Sequence, residues 1–124
     1  PGSSAYFKGG IVAYSNEIKE QLLGVKHETL EQYGAVSEET AIEMARGCLT
    51  KMGVDYAIAT TGIAGPTGGS KQKPVGTIWM AIATPEGSRA VMRNSGTDRG
   101  QIISRASAYA IEMLYEEIKN NTNK

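Results

Sequence analysis

The sequence predicts a single α/β domain, residues 1–124, in which helices cover a mixed β-sheet. Three observations lead to this class. Two runs, 55–61 and 75–83, are apolar on both faces, as strands of a sheet covered by helices are. Ser37, followed by two acidic residues, marks the start of a helix. The segment 99–118 carries apolar residues at helical spacing and closes the fold.

The first half of the chain is predicted to contain one strand and three helices. Gly10–Tyr14 is short, apolar and partly β-branched, which is typical of a buried strand. Ser15 or Asn16 can cap the helix that follows this strand. Three helices are predicted, and a glycine ends each of them. The first begins after Asn16 and ends at Gly24, the second covers 28–33 and ends at Gly34, and the third runs from Ser37 to about Met52 and ends at Gly53.

The second half is predicted to contain three strands and one helix. The turn at 84–87 has proline second and glycine fourth, so the strands 75–83 and 88–94 are expected to form an antiparallel hairpin. Thr97 or Asp98 can cap the last helix. Its predicted core stripe is Ile102, Ile103, Ala106, Tyr109, Ala110, Met113 and Leu114. Asn120–Lys124 is expected to be a frayed polar tail.

Composition excludes several functions. Thirteen basic residues balance thirteen acidic ones without a basic stripe, so no nucleic-acid partner is expected. No apolar run approaches the roughly 20 residues of a membrane span and no signal peptide is visible, so no membrane partner is expected. The single Cys48 excludes an internal disulfide and lies on an apolar helix stripe, as a core residue would. The one histidine, His27, lies in a different part of the sequence, so Cys48 and His27 are not expected to form a metal site.

The glycine-rich stretch 60–77 separates two predicted strands. Glycine tolerates positive φ and allows a ligand to approach the backbone, so such a loop can present several N–H groups to one oxygen-rich ligand. The stretch is neither a phosphate loop of the Walker type nor a dinucleotide fingerprint. The alternative is a surface loop that needs glycine only to turn, and composition leaves both interpretations open.

Two further features suggest chemistry. Lys19 follows an apolar strand, and a lysine desolvated there can lose its proton near neutral pH. Tyr14 is close enough in sequence to converge with it, and Ser3 or Ser4 could supply a hydroxyl. Arg99 places a fixed positive charge at a helix N-terminus, which favours an anion such as phosphate, although an arginine merely solvated at a helix start fits equally well.

Six ordered blocks resemble one family. They are Gly2-Ser3-Ser4, Gly9–Asn16 with Lys19, Leu23-Gly24-Val25, Gly34–Ser37, Thr61–Pro66 with Gly68-Gly69, and Lys73–Thr77. Together they resemble the C-terminal domain of competence/damage-inducible protein CinA, whose stand-alone members are called PncC. The resemblance covers essentially the whole chain. Family members carry a further helix, a strand and the start of another helix before this point, so the chain is expected to lack the family's first strand and helix.

The resemblance implies a bacterial, cytoplasmic amidohydrolase of the pyridine nucleotide cycle. Such an enzyme converts nicotinamide mononucleotide to nicotinate mononucleotide and ammonia without metal or cofactor, and the family suggests a homodimer or larger homo-oligomer. By analogy Ser4 is the nucleophile, with Tyr14 and Lys19 as activating partners. The substrate-binding residues that the analogy and the glycine loop indicate are Thr61, Gly62, Gly65, Gly68, Gly69 and Arg99.

Two other functions stay open. One is a non-catalytic nucleotide-binding or regulatory module of the same fold, in which the loop binds phosphate and nothing is hydrolysed. The other is a pure interaction domain without a small-molecule site. Detection of ammonia released from nicotinamide mononucleotide, by the protein with the family's N-terminal segment restored, would separate the enzyme from both.

Overall fold

The computed structural model describes residues 1–122. Within them, four α-helices and three strands follow one short 3₁₀ turn at Ser3–Ala5. The helices are α1 Asn16–Leu23, α2 His27–Tyr33, α3 Glu38–Met52 and α4 Arg99–Thr122. The strands are β1 Ala57–Gly62, β2 Thr77–Thr84 and β3 Gly87–Asn94. The predicted α/β class is confirmed.

The helix boundaries follow local capping chemistry. The Ser15 hydroxyl accepts a hydrogen bond from the third backbone N–H after it, and Ser37 does the same at the start of α3. The Asp98 carboxylate caps α4 by accepting the N–H of Gln101 at 2.9 Å. Gly53, in the left-handed region at φ 63°, ends α3. The last helix continues to Thr122, past its predicted end, and residues 123–124 of the predicted tail lie outside the described residues.

The sheet is antiparallel throughout the described residues, in the order β1-β2-β3. A mixed sheet was expected, and that detail is wrong. The loop 63–76 and the turn 84–87 each return the chain beside the strand just completed, which forces antiparallel pairing. Within residues 1–122, β1 and β3 each pair only with β2, so neither edge of the sheet carries a further strand.

The predicted first strand, Gly10–Tyr14, is not a strand in the structure. Ile11 and Ala13 pack partly against a core cluster, whereas Tyr14 is 87% exposed. The segment therefore keeps an alternation of inward and outward side chains but pairs with no strand in the described part of the chain. Apolar character predicts burial of one side, and a strand additionally needs a ladder partner.

Helices cover both faces of the sheet. On one face, the alanines of α3 pack on those of β2, with Ala41 and Ala81 fully buried. On the other, Ile102 and Ala110 of α4 pack on Ile78 and Met80. Ile103, predicted in the same stripe, is 50% exposed and belongs to another face of α4. No helix within residues 1–122 is long and apolar enough to span a membrane.

Candidate functional site

The glycine loop, residues 63–76, is folded tightly upon Val75. Gly65 has φ 73°, and a Cβ there would lie 2.6 Å from a methyl carbon of Val75. A Cβ on Gly69 would lie 2.7 Å from the backbone nitrogen of the same residue. Gly68 also has a positive φ of 93°. Gly65 and Gly69 therefore have a packing reason to be glycine and Gly68 a conformational one, all independent of any ligand.

Arg99 brings the start of α4 to this loop. Its Nη1 donates a hydrogen bond of 2.7 Å to the carbonyl oxygen of Gly65, a residue far away in sequence. Two features that were predicted separately, the glycine loop and the cationic helix start, are thus neighbours. The carboxylate of Asp98 already occupies one of the N–H groups at this helix start, so the guanidinium is the main attraction for an anion here.

Residues 33–35, at the end of α2 and just after it, form a second side of the candidate site, next to the glycine loop. This segment is called the 33–35 wall. The hydroxyl of Thr61, at the end of β1, is buried and donates to the carbonyl oxygen of Ala35 at 2.8 Å. Thr40 donates to the carbonyl of Gly34 at 2.7 Å, and the Lys73 ammonium donates to the carbonyl of Tyr33. Segment 33–35 is therefore fixed against both β1 and the glycine loop. As the structure stands, the Thr61 hydroxyl holds this wall.

Lys19 is the most unusual charged residue of the chain. Only 6% of it is exposed, and its Nζ donates to the carbonyl oxygens of Ala13 at 3.0 Å and Tyr14 at 3.4 Å. Burial lowers its pKa below the ordinary value. The two acids nearest in sequence bind elsewhere: Glu17 accepts from Gln21, and Glu20 contacts His27. Within residues 1–122, the amine is therefore buried without a carboxylate partner.

Ser4 and Tyr14 are placed differently. Ser4 lies in the short 3₁₀ turn at the start of the chain and is exposed. The Tyr14 ring is also exposed, although its carbonyl contacts Lys19. No hydrogen bond joins the three side chains to one another in residues 1–122. The structure thus brings Lys19 to the backbone of Tyr14. The Ser4 and Tyr14 hydroxyls lie in the same N-terminal segment, but neither is hydrogen-bonded to the Lys19 amine.

Comparison with known proteins identifies the family. A sequence model described as the CinA C-terminal domain matches residues 1–118. The chain belongs to the CinA C-terminal domain family. It is 50% identical over 123 residues to the nicotinamide-nucleotide amidohydrolase PncC of Escherichia coli K12, an alignment that covers 98% of this chain and 74% of that protein. The family prediction made from the six sequence blocks is confirmed.

Two more relatives show how the domain occurs. A CinA-like protein of Fervidobacterium nodosum is 48% identical over 114 residues, which is 92% of this chain but 28% of that protein. The crystal structure of the competence damage-inducible protein A (ComA) of Klebsiella pneumoniae superposes with a TM-score of 0.90 at 35% identity, covering 95% of this chain and 73% of that one. The CinA domain fold is thus shared with a solved structure.

His27 and Cys48 of the CinA domain have structural surroundings. The ring of His27 lies between Glu20 and Glu31, whose carboxylates raise its pKa. Cys48 is partly buried beside a core cluster, and burial raises the pKa of its thiol, which keeps it protonated and unreactive. Within residues 1–122 there is no group of three or more His, Cys, Asp or Glu side chains that could hold a metal ion.

Sequence reasoning missed the wall at 33–35 and its attachment through Lys73. Lys73 was quoted only as part of a family block, and its amine bonds to a backbone carbonyl 40 residues away. A contact to a backbone carbonyl leaves no pattern of paired charges in the sequence. The packing role of Val75 was missed for a similar reason, since the tight approach of two loop segments is visible only once the loop is folded.

Proposed function

We propose that this CinA domain is an amidohydrolase that converts nicotinamide mononucleotide to nicotinate mononucleotide and ammonia. The similarity to a protein named nicotinamide-nucleotide amidohydrolase, over 98% of the chain, supports the substrate. The observation that carries the chemistry is Lys19, an amine that is buried, has a lowered pKa and has no carboxylate partner among the described residues. Such a group is a competent general base in a chain whose one histidine is paired with acids.

The proton acceptor is the uncharged form of Lys19. An uncharged amine has two N–H groups, and the carbonyls of Ala13 and Tyr14 match both of them. Its lone pair is then left to accept a proton from a hydroxyl. The lowered pKa increases the fraction of amine in this form.

In the proposed reaction, the Ser4 oxygen attacks the carboxamide carbon while its proton passes to Lys19, directly or through the Tyr14 hydroxyl. The tetrahedral intermediate collapses, the C–N bond breaks, and the protonated base returns the proton to the leaving nitrogen, releasing ammonia. Water then hydrolyses the acyl-serine to the carboxylate and restores the hydroxyl. The exposed Ser4 must approach the amine for this step, and we propose that it does so when substrate is bound.

Binding of the mononucleotide is assigned to the other predicted residues. Arg99, anchored to the loop through Gly65, supplies the positive charge for the phosphate. We assign Thr61 and the loop glycines Gly62, Gly65, Gly68 and Gly69 to the neighbouring surface, and backbone N–H groups of the glycine loop to the oxyanion. The expected homo-oligomeric state and cytoplasmic location stay predictions.

The test is ammonia release from nicotinamide mononucleotide, with Ser4→Ala as the key variant. Ser3 is the matched control, because it is the adjacent exposed serine in the same turn. We expect Ser4→Ala to remove most of kcat and Ser3→Ala to leave it nearly unchanged. Equal activity of both variants would exclude Ser4 as the nucleophile, and absence of activity in the unaltered protein would contradict the proposed function.

A non-catalytic nucleotide-binding module is the second candidate. The observation that favours it is the absence of a hydrogen bond between the Ser4 and Tyr14 hydroxyls and the Lys19 amine in the described residues. Calorimetric titration separates the two functions, because a binding module would bind the mononucleotide through Arg99 without releasing ammonia.

A further inference from the structure

Lys73, near the end of the glycine loop, reaches across to the 33–35 wall. Its ammonium donates a hydrogen bond to the carbonyl oxygen of Tyr33, and a Cβ added at Gly34 would lie 3.2 Å from the same nitrogen. No carboxylate forms an ion pair with Lys73 within residues 1–122. The ammonium is therefore held by the backbone at the end of α2 and not by an acidic side chain.

The backbone of Lys73 is fixed before its side chain leaves the loop. Ser70 donates its N–H to the carbonyl oxygen of Lys73 at 2.8 Å, and the Lys73 N–H donates to the Ser70 hydroxyl at 3.0 Å. These two bonds close a turn over residues 70–73. Pro74 follows, and a proline restricts the residue before it to extended conformations. The turn and the proline together set the direction in which the lysine side chain extends.

Two cationic side chains hold the glycine loop, one near each end. Arg99 binds the carbonyl of Gly65 from the start of α4, and Lys73 ties the far end to the 33–35 wall. Residues 66–72 between these two points are all exposed. Among the described residues, the bond from Lys73 is the one side-chain hydrogen bond that joins the loop to the wall. Because Thr61 attaches the wall to β1, the Lys73 bond sets how far the loop stands from the wall.

We propose that Lys73 is a positioning residue of the substrate site. Through its bond to Tyr33, it holds the glycine loop at the distance from the 33–35 wall that the mononucleotide fits. This assignment rests on the proposed function, in which the loop and Thr61 line the bound substrate. Lys73 acts through the loop and takes no part in proton transfer. Its loss therefore affects binding of the whole substrate, whereas loss of Arg99 is expected to affect the phosphate.

The kinetics of ammonia release by the whole protein test this role. Lys73→Met keeps the aliphatic stem and removes the donor. Because the bond to Tyr33 is exposed to solvent, we expect KM for nicotinamide mononucleotide to rise about fivefold, with kcat changed less than about twofold. Lys73→Arg retains a cationic donor and should restore most of the lost affinity. Lys71→Met is the matched control, because Lys71 is an exposed lysine of the same loop, and its KM should equal that of the unaltered protein.

Inhibition of this reaction by nicotinamide riboside separates positioning from phosphate binding. The riboside lacks the phosphate, so its inhibition constant should rise in Lys73→Met by the same factor as KM for the mononucleotide. A rise confined to the mononucleotide would make Lys73 a phosphate ligand and would overturn the positioning role. A loss of kcat at constant KM, or equal KM values for Lys73→Met and Lys71→Met, would overturn it as well.

Amide hydrogen exchange distinguishes failure of this proposal from failure of the proposed function. In Lys73→Met, the amides of Ser70 and residue 73 should exchange at least about threefold faster, whereas those of β2 should not change. Lys71→Met should leave the loop amides unchanged. Unchanged loop exchange in Lys73→Met would overturn the positioning role even if the unaltered protein releases ammonia. If the unaltered protein binds the mononucleotide without releasing ammonia, a fivefold weaker calorimetric affinity and faster loop exchange in Lys73→Met would support the positioning role and contradict the hydrolysis alone.

Discussion

Replacing Lys19 by methionine tests the proposed general base most directly. Methionine keeps the long apolar stem in its buried position and removes only the amine. General bases contribute typically 10²–10⁴-fold to the rate, so kcat for ammonia release should fall by at least about 100-fold. Lys19→Arg should not restore activity, because a guanidinium does not give up its proton at accessible pH.

The structural cost of Lys19→Met should be small. The variant leaves the carbonyls of Ala13 and Tyr14 without the amine donor. Both bonds are only partly buried, so water can replace the amine and the free energy of unfolding should fall by about 1 kcal/mol. Lys8→Met, which changes an exposed lysine of the same segment, is the control and should affect neither rate nor stability. Near-normal turnover of Lys19→Met would refute the base assignment.

The pH dependence provides a second readout of Lys19. Its folded-state pKa is lowered from about 10.5 by burial. The uncharged amine becomes more abundant as pH rises through this lowered value, so kcat/KM should rise with it. In the window between the lowered pKa and about 10.5, the unfolded chain binds the proton more tightly than the folded one, so stability should also rise with pH. Lys19→Met should lose both rises, and an unchanged profile would contradict the argument.

Three further predictions concern the site and its supports. Arg99→Ala should raise KM for the mononucleotide by roughly tenfold or more, because it removes a charge-assisted contact of about 1.5–3 kcal/mol. Cleavage of the unphosphorylated riboside should change little. Equal losses on both substrates would exclude the phosphate assignment. Gly69→Ala should destabilise the fold by about 1–3 kcal/mol, because its Cβ would lie 2.7 Å from the nitrogen of Val75. Gly10→Ala is the control, because a Cβ there would meet no atom within 4 Å. Equal melting temperatures of the two variants would show that the loop relaxes freely. Glu43→Gln should lower the melting temperature by a few degrees, because the carboxylate accepts two donors at the start of α2, at 2.8 and 2.7 Å; an unchanged melting temperature would show that the charge adds nothing to these bonds.

The helices were predictable from sequence because their limits are set by neighbouring residues. Ser15, Ser37 and Asp98 each bond to a backbone N–H three residues ahead, so the decisive atoms lie within one turn of the chain. The hairpin of β2 and β3 was equally local, since one four-residue turn fixes it. By contrast, Gly10–Tyr14 has the residues of a strand but no strand beside it, and residue type alone cannot supply that partner.

The burial of Lys19 was predictable from the sequence, and its hydrogen-bond partners were not. The lysine was expected to be buried because it follows an apolar segment, and its side chain is indeed sequestered without an acid. Its bonding to the carbonyls of Ala13 and Tyr14 could not be anticipated, since any backbone carbonyl is an equivalent acceptor in sequence terms. The same holds for the contact between Arg99 and Gly65, which joins the start of α4 to a loop 34 residues away in the chain.

The loop glycines show why composition alone left the function open. A glycine-rich loop between strands was consistent with a ligand cradle or with a tight turn, and at Gly65 and Gly69 the absence of a side chain is already required by the approach of Val75. Those two glycines therefore add no weight to phosphate binding, which depends instead on the charge of Arg99 at the loop's edge. If Gly69→Ala impaired binding of the mononucleotide without lowering stability, this conclusion would be wrong for Gly69, because the glycine would then be required by the ligand and not by the fold.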